Sequence, residues 1–486
     1  MSLNLTDPSL LENRAFLGGD WVETGKTFPV TNPATGEVVA NVADLTAEDT
    51  KKAIDIAFEA QKEWRAKTAK ERCAILLKWN DLMLENQEDL AKILTAEMGK
   101  PLAEARGEIV YGASFIQWFA EEARRVYGDV IPGHQADKRI MVIKQPIGVV
   151  GSITPWNFPN AMIARKVGPA LAAGCSFVGR PAEKTPLSAL AMAVLGERAG
   201  IPKGVLSIVT GSDARGIGLE LCTNPKVRKL TFTGSTEVGR ILMQQCAHDI
   251  KKLSLELGGN APFLVFDDAN LDKAVEGAMI AKYRNSGQTC VCANRIYAQS
   301  GVAEEFAAKL AEASSKLKVG DGMSEGVSIG PLIDEEALAK VEDHVSDALS
   351  KGAKVLVGGK RSDLGGTYYE PTVLTGVTRG MKILTEETFG PVAPVIAFDT
   401  IDEGIALAND TEFGLAAYFY ARDISTVWKA AEEIESGMVG VNTGLISTAE
   451  VPFGGIKSSG LGREGSKYGI DEYLEMKYVC MSVEGA

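Results

Sequence analysis

Cys290 is the residue of this chain best placed for covalent chemistry. It lies in Arg284-Asn285-Ser286-Gly287-Gln288-Thr289-Cys290-Val291-Cys292, a polar and basic stretch that continues to Asn294 and Arg295. Nearby cations favour the thiolate, which is the nucleophilic form of cysteine. No histidine lies in this stretch, and the chain has only three, His134, His248 and His344. A cysteine–histidine protease pairing therefore has no local support. With no histidine near a pair of cysteines, a zinc site or other metal centre is not expected.

Three other segments carry groups that can serve a nucleophile. Pro155-Trp156-Asn157-Phe158-Pro159 follows an apolar run beginning near Ile147, at the kind of strand end where ligands of α/β sheets collect. Its Asn157 amide can donate to an oxyanion, or the segment is a rigid aromatic turn that only packs. Glu256, in Glu256-Leu257-Gly258-Gly259, can act as a base on water or stand as an exposed loop acid. Phe232-Thr233-Gly234-Ser235-Thr236-Glu237-Val238-Gly239 offers glycines, hydroxyls and a helix start to a pyrophosphate, and equally reads as a capped helix after a strand. No G-x-G-x-x-G fingerprint and no P-loop is present.

The elements that must position these groups alternate between strand and helix. Apolar runs at 146–153, 175–178, 205–209 and 230–232 are bounded by Gly or Pro, and helical stretches such as 187–199 separate them. This is the pattern of a parallel sheet with crossover helices. A second βα series starts near Ala261. The first 120 residues read mostly as helix, with capping boxes at Thr46-Ala47-Glu48-Asp49 and Thr68-Ala69-Lys70-Glu71, the second run ending near Gly99 and Pro101. Residues 124–148 and 474–481 read as extended, and a terminal strand of this kind asks for a partner segment or subunit.

The totals narrow the class. At 486 residues the chain exceeds one core, so two or three units are expected. A net charge of −13 argues against nucleic acid or an anionic membrane as partner, and any site for an anion must be locally basic. Residues 1–17 do not form a signal peptide, and 167–179 is too short and broken to span a bilayer. Seven scattered cysteines form no disulfide framework, which suits a reducing cytoplasm.

Taken together, the chain resembles the aldehyde dehydrogenase family. The resemblance runs over nearly the whole length, through Asn32-Pro33-Ala34-Thr35-Gly36-Glu37, the Asn157, Gly234, Glu256 and Cys290 segments, Glu386-Glu387-Thr388-Phe389-Gly390-Pro391 and Pro452-Phe453-Gly454-Gly455. The spacing is in register too, with 99 residues from Asn157 to Glu256 and 34 from Glu256 to Cys290. The resemblance implies a Rossmann-like cofactor domain (1–124 and 147–256), an α/β catalytic domain (257–462) and a small β oligomerisation domain (125–146 and 463–486). It implies that Cys290 attacks an aldehyde, that Asn157 and the Cys290 N–H hold the oxyanion, and that Glu256 activates water against the thioester. Trp156, Arg180, Glu183, Gly234, Ser235, Leu257, Glu387 and Phe389 would hold NAD or NADP. Glu183 favours the former and Arg180 with Lys184 the latter, so the preference stays open.

Within the family the chain is most similar to bacterial succinate-semialdehyde dehydrogenases, which work in 4-aminobutyrate degradation. That similarity implies a clamp for the substrate carboxylate made by Arg165, Arg284 and Ser447, where guanidiniums reverse the acidic global charge; for the arginines the alternative is a structural salt bridge. Glutarate semialdehyde and 2-oxoglutarate semialdehyde would suit the same clamp. A CoA-acylating relative and a non-catalytic structural protein are the other readings; Glu256, which the first would not need as a hydrolytic base, speaks against it, and the intact Asn157, Glu256 and Cys290 speak against the second. Cys292 adds a possible redox partner for Cys290, or is a small buried side chain. A homodimer or homotetramer is implied.

Overall fold

The computed structural model of the chain describes residues 3–483. Two α/β sheets dominate it. The core of the first is five parallel strands in the order Leu206–Ile208, Ser176–Arg180, Val149–Ile153, Val227–Thr233 and Lys252–Glu256. These short apolar runs are almost wholly buried, because helices cover both faces of the sheet. The chain first lays strands on one side of Val149–Ile153 and then crosses to its other side with Val227–Thr233. The order reverses between those two strands, and their carboxyl ends open the crevice where ligands of such sheets bind. Antiparallel Ala15–Leu17 and Asp20–Val22 extend one edge, and Gly460–Leu461 the other.

The second sheet runs Lys354–Val357, Thr372–Thr375, Val392–Phe398, Ala293–Gln299, Ala261–Val265, Ala416–Tyr420, Met438–Val441, parallel except for the first. Only residues 257–260 separate Glu256, at the end of the first sheet, from Ala261, at the start of the second. The first sheet therefore presents its carboxyl edge, and the second its amino edge, to one shared space.

A third, antiparallel sheet joins the two isolated extended segments. Leu474–Ser482 pairs with Lys138–Pro146, from Leu474 opposite Pro146 to Ser482 opposite Lys138, and Asp129–Ile131 flanks it.

The helices follow their start signals. Both capping boxes form, at Thr46 with Asp49 and at Thr68 with Glu71. The buried Trp64 and Trp79 donate their indole N–H groups to the carbonyls of Leu171 and Met192, each at 3.0 Å. These bonds fasten the amino-terminal helices to Ala161–Ala173 and Leu187–Ala199, the helices that follow Val149–Ile153 and Ser176–Arg180 in the chain. Three expectations change. The first 43 residues hold four short strands and a 3-10 turn at Pro8–Leu10 rather than α-helix; two of the strands have three residues each, and Pro29 interrupts a third. The run from Thr68 breaks at Asn86, whose side chain donates to the Leu82 carbonyl at 2.8 Å, into Ala69–Glu85 and Gln87–Met98. The strand expected near Ile147 starts at Val149, since Pro146 ends the preceding strand. No helix among the described residues is long and apolar enough to cross a membrane.

Candidate active site

The Val149–Ile153 strand runs directly into Pro155-Trp156-Asn157 at the reversal point. Asn157 is buried, and its side-chain amide donates to the Gln288 carbonyl at 3.0 Å. The Asn157 carbonyl accepts in turn from Asn285 Nδ2 at 3.0 Å and from Lys100 Nζ at 2.8 Å. One of the two Asn157 amide hydrogens is thereby taken. The other is available to an oxygen near Cys290.

Cys290 comes from the amino edge of the second sheet, between helix Leu271–Tyr283 and strand Ala293–Gln299. The turn before it is strained: Asn285 and Ser286 hold φ of 53° and 57°, in the left-handed region that side chains avoid. Gly287 continues at φ 77°, where a Cβ would collide with the Gly390 carbonyl. Glu104 accepts the Asn285 N–H at 2.8 Å, Ser286 Oγ donates to the Gly330 carbonyl at 3.0 Å, and Gln288 Oε1 accepts the Ile333 N–H at 2.9 Å. Behind the thiol, Gly259 lies so close that a Cβ there would stand 2.5 Å from the Cys290 carbonyl oxygen.

Glu256 ends strand Lys252–Glu256. It is buried, and neither carboxyl oxygen has a hydrogen-bond partner among the described residues. Burial, and then the nearby Glu464 carboxylate, push its pKa well up against the pull of Arg165, Lys166 and Arg463. Glu464 itself falls to about 2: burial works against its charge, but Arg165 and Lys166 outweigh it. One buried acid is therefore ionised and the other neutral.

Cys290 lies at the junction of two cavities. The larger, about 550 Å3, runs from Gly234 and Ser235 past Trp156 and Leu257 to Glu387, Phe389 and Cys290. Ser235 also caps helix Thr236–Cys246, its hydroxyl accepting the Val238 N–H at 3.3 Å, so the capped-helix reading of that segment holds. Trp156 and Phe389 meet edge to face, with centroids 5.6 Å apart. Glu387 Oε1 accepts the Gly259 N–H at 3.2 Å, and burial raises this acid to about 7. Arg180 and Glu183 stand apart from this lining, bonded to each other at 2.6 Å, and Arg180 also donates to the Gly211 carbonyl at 3.2 Å.

The narrower cavity brings Cys290 together with Arg165, Arg284 and Ser447, walled by Tyr111, Phe158, Met162 and Phe453. At about 10 Å3 it has room for roughly one water. The two arginines differ. Arg165 is buried and bonded to Glu464 through Nε at 2.6 Å and through Nη2, and Lys166 pairs with the same carboxylate. Arg284 packs over the Phe158 ring at 5.2 Å and pairs with no carboxylate among the described residues. The salt-bridge alternative thus describes Arg165 and not Arg284.

Two other expectations are adjusted. Nearby cations do not make Cys290 a resting thiolate, because burial, against the pull of Arg165 and Arg284, pushes its thiol up to about 12. Cys292 is buried, and its thiol donates to the Lys282 carbonyl at 3.0 Å; a bond to Cys290 would have to break that contact. Glu464, Lys100, Glu104 and Lys340 belong to the site or its support, and nothing in their local sequence marks them.

A model of the aldehyde dehydrogenase family matches residues 21–479. The chain is 63% identical over 481 residues to a glutarate-semialdehyde dehydrogenase of Pseudomonas aeruginosa, covering 99% of each chain. It is 61% identical over 483 residues to the NADP(+) succinate-semialdehyde dehydrogenase of Escherichia coli, covering 99% of this chain and 100% of that one. The solved structure of a succinate-semialdehyde dehydrogenase from Burkholderia pseudomallei superposes with a TM-score of 0.98 at 61% identity, over 99% of this chain and 100% of that one.

Two outcomes follow from the geometry. With the Cys290 thiol raised to about 12, alkylation of the cofactor-free protein by iodoacetamide should quicken about tenfold per pH unit across roughly pH 6–9; a plateau starting near pH 7 would show that the arginines already hold a thiolate. Gly287→Ala forces a side chain into a left-handed site against Gly390, so kcat should fall at least about tenfold and the melting temperature should drop, at a cost of roughly 1–3 kcal/mol. Unchanged kinetics would mean that the turn relaxes without moving Cys290.

Proposed function

The chain belongs to the aldehyde dehydrogenase family, and on that premise we propose that it oxidises succinate semialdehyde to succinate with NAD+ or NADP+. The observation that carries the substrate is Arg284, a guanidinium without a carboxylate partner in a cavity that begins at Cys290 and also holds Ser447. A substrate with a carboxylate at one end and an aldehyde at the other would set its anion on Arg284 and Ser447 and its carbonyl carbon at the thiol, and the cavity, with room for roughly one water, must widen to admit it. Arg165 adds positive potential from behind, its charge shared with Glu464.

The larger cavity suits a dinucleotide: it opens at the strand reversal, receives the amino end of helix Thr236–Cys246, and has an aromatic corner at Trp156 and Phe389 beside Glu387. When bound there, NAD+ or NADP+ supplies the acceptor for the hydride that the aldehyde carbon gives up. The chain's own residues do the rest. Cys290 first gives up its thiol proton to solvent, then adds as the thiolate to the carbonyl carbon, and the oxyanion takes the second Asn157 amide hydrogen and the Cys290 N–H. Once the thioester has formed, Glu256, which must first lose its proton, takes one from a water that attacks the thioester carbon.

We divide the chain into a cofactor domain at 1–124 and 147–256, a catalytic domain at 257–462 and an oligomerisation domain at 125–146 and 463–486. The strand Leu474–Ser482 leaves Met476 at 75% and Tyr478 at 60% exposure, which favours a second copy of the chain against this edge. All seven cysteines are free, as suits the cytoplasm.

Glutarate semialdehyde, one methylene longer, is the second reading, supported by the Pseudomonas aeruginosa relative. The shorter chain needs the smaller widening of the narrow cavity, which favours succinate semialdehyde. A comparison of kcat/KM for succinate, glutarate and 2-oxoglutarate semialdehydes tests this, with about 10–200-fold expected in favour of the first. A higher value for glutarate semialdehyde reverses the assignment. Arg284→Ala should raise KM for succinate semialdehyde about 10–100-fold and leave butanal nearly unaffected, because only the former loses a charge-assisted bond. Equal changes for the two would remove the clamp.

A further inference from the structure

The Asn157 loop is gripped from a third direction, by helix Leu102–Glu122 and the Gly99-Lys100-Pro101 turn before it. Lys100 exposes none of its side chain, and its ammonium meets three partners. It pairs with the Glu108 carboxylate, donates to the Asn157 carbonyl at 2.8 Å, and lies 3.6 Å from the centroid of the Phe158 ring. The other Glu108 oxygen accepts the N–H groups of Asn160 at 2.9 Å and Ala161 at 3.2 Å, where the helix bearing Arg165 begins. One turn earlier on the same helix, Glu104 accepts the Asn285 N–H at 2.8 Å. A single helix start therefore holds both halves of the oxyanion site.

The Asn157 carbonyl has two lone pairs, and Lys100 and Asn285 take both. That fixes the peptide plane from which the side chain departs, while Gln288 fixes one amide hydrogen. The direction of the remaining hydrogen is then set. We propose that Lys100, through its bond to the Asn157 carbonyl, is a positioning residue that aims the Asn157 amide at the oxygen of the reacting carbonyl. The inference rests on the reading of Asn157 as oxyanion donor given above. Placement matters because a donor acts only when it meets the charge where it develops, and loss of such a donor costs about 10²–10³ in kcat.

Lys100→Met alone would strand a buried carboxylate, so the variant is Lys100→Met with Glu108→Gln, which keeps an acceptor for Asn160 and Ala161. It is compared in native and Asn157→Ala backgrounds by kcat, KM and melting temperature. Glu108→Gln alone, which loosens the anchor of Lys100, runs in the same cycle with the same expected signs should the pair not fold. The expected result is a fall in kcat of about 10–100-fold in the native background, with KM for aldehyde and cofactor moving less than about threefold. On top of Asn157→Ala the same change should cost less than about threefold, because the residue Lys100 acts through has been removed. An equal fall in both backgrounds, or none in the native one, overturns the assignment and leaves the role of Asn157 standing. If Asn157→Ala alone changes kcat by less than about twofold, the oxyanion reading fails and this inference with it.

Discussion

Asn157 donates its side-chain amide to the Gln288 carbonyl and accepts the Asn285 amide on its own carbonyl, from a turn 131 and 128 residues away along the chain. Everything else about the site depends on this reciprocal contact. Asn157 stands at the carboxyl edge of one sheet, and the Asn285–Gln288 turn at the amino edge of another. Neither edge alone brings a nucleophile and an oxyanion donor together. The four-residue connection from Glu256 to Ala261 sets the two edges close, and the amide exchange sets their register. Gly259 belongs to the same constraint, since only a residue without a Cβ lets that connection pass behind Cys290.

Around this contact, charge is arranged so that few groups are ionised without a partner. Glu464 takes both Arg165 and Lys166, which leaves two buried cations paired to one buried anion, with Glu256 and Cys290 close by. Burial and the Glu464 carboxylate keep Glu256 protonated, and burial keeps the Cys290 thiol protonated. A nucleophile that rests protonated reacts slowly with stray electrophiles. A substrate carboxylate in the narrow cavity would meet the Arg284 guanidinium and, behind it, that of Arg165, whose charge Glu464 shares.

The parts legible in the sequence were those whose chemistry demands a residue type inside a local pattern. Cys290 among polar residues, Asn157 between prolines and Glu256 before two glycines each advertise themselves, and their shared spacing made them one site. Glu464 carried no such sign, because a buried ion pair between residues 299 apart has no local signature. Lys100 and Glu104 likewise carry no local mark, and only the fold turns them inward. Arg165 and Arg284 looked alike as residue types, and their difference lies in the presence of Glu464 beside one alone. The short strands before Ala47 are hard to read for a different reason: two have only three residues, below the length at which alternation shows, and Pro29 interrupts a third.

The strain in the site limits how it can adapt. Asn285, Ser286 and Phe389 all hold left-handed backbone, and each costs about 1–3 kcal/mol unless its surroundings fix it. The fixing contacts are numerous around Asn285 and Ser286: Glu104, Gly330 and, through Gln288, Ile333. A turn held by that many directional bonds does not shift to suit a longer substrate. The accommodating side of the narrow cavity must then be its apolar wall, where Met162 has the most rotatable bonds of the lining side chains Tyr111, Phe158, Met162 and Phe453. A change at Met162 is expected to alter the accepted chain length and leave the oxyanion site in place, whereas a change at the turn is expected to alter the chemistry for every substrate alike.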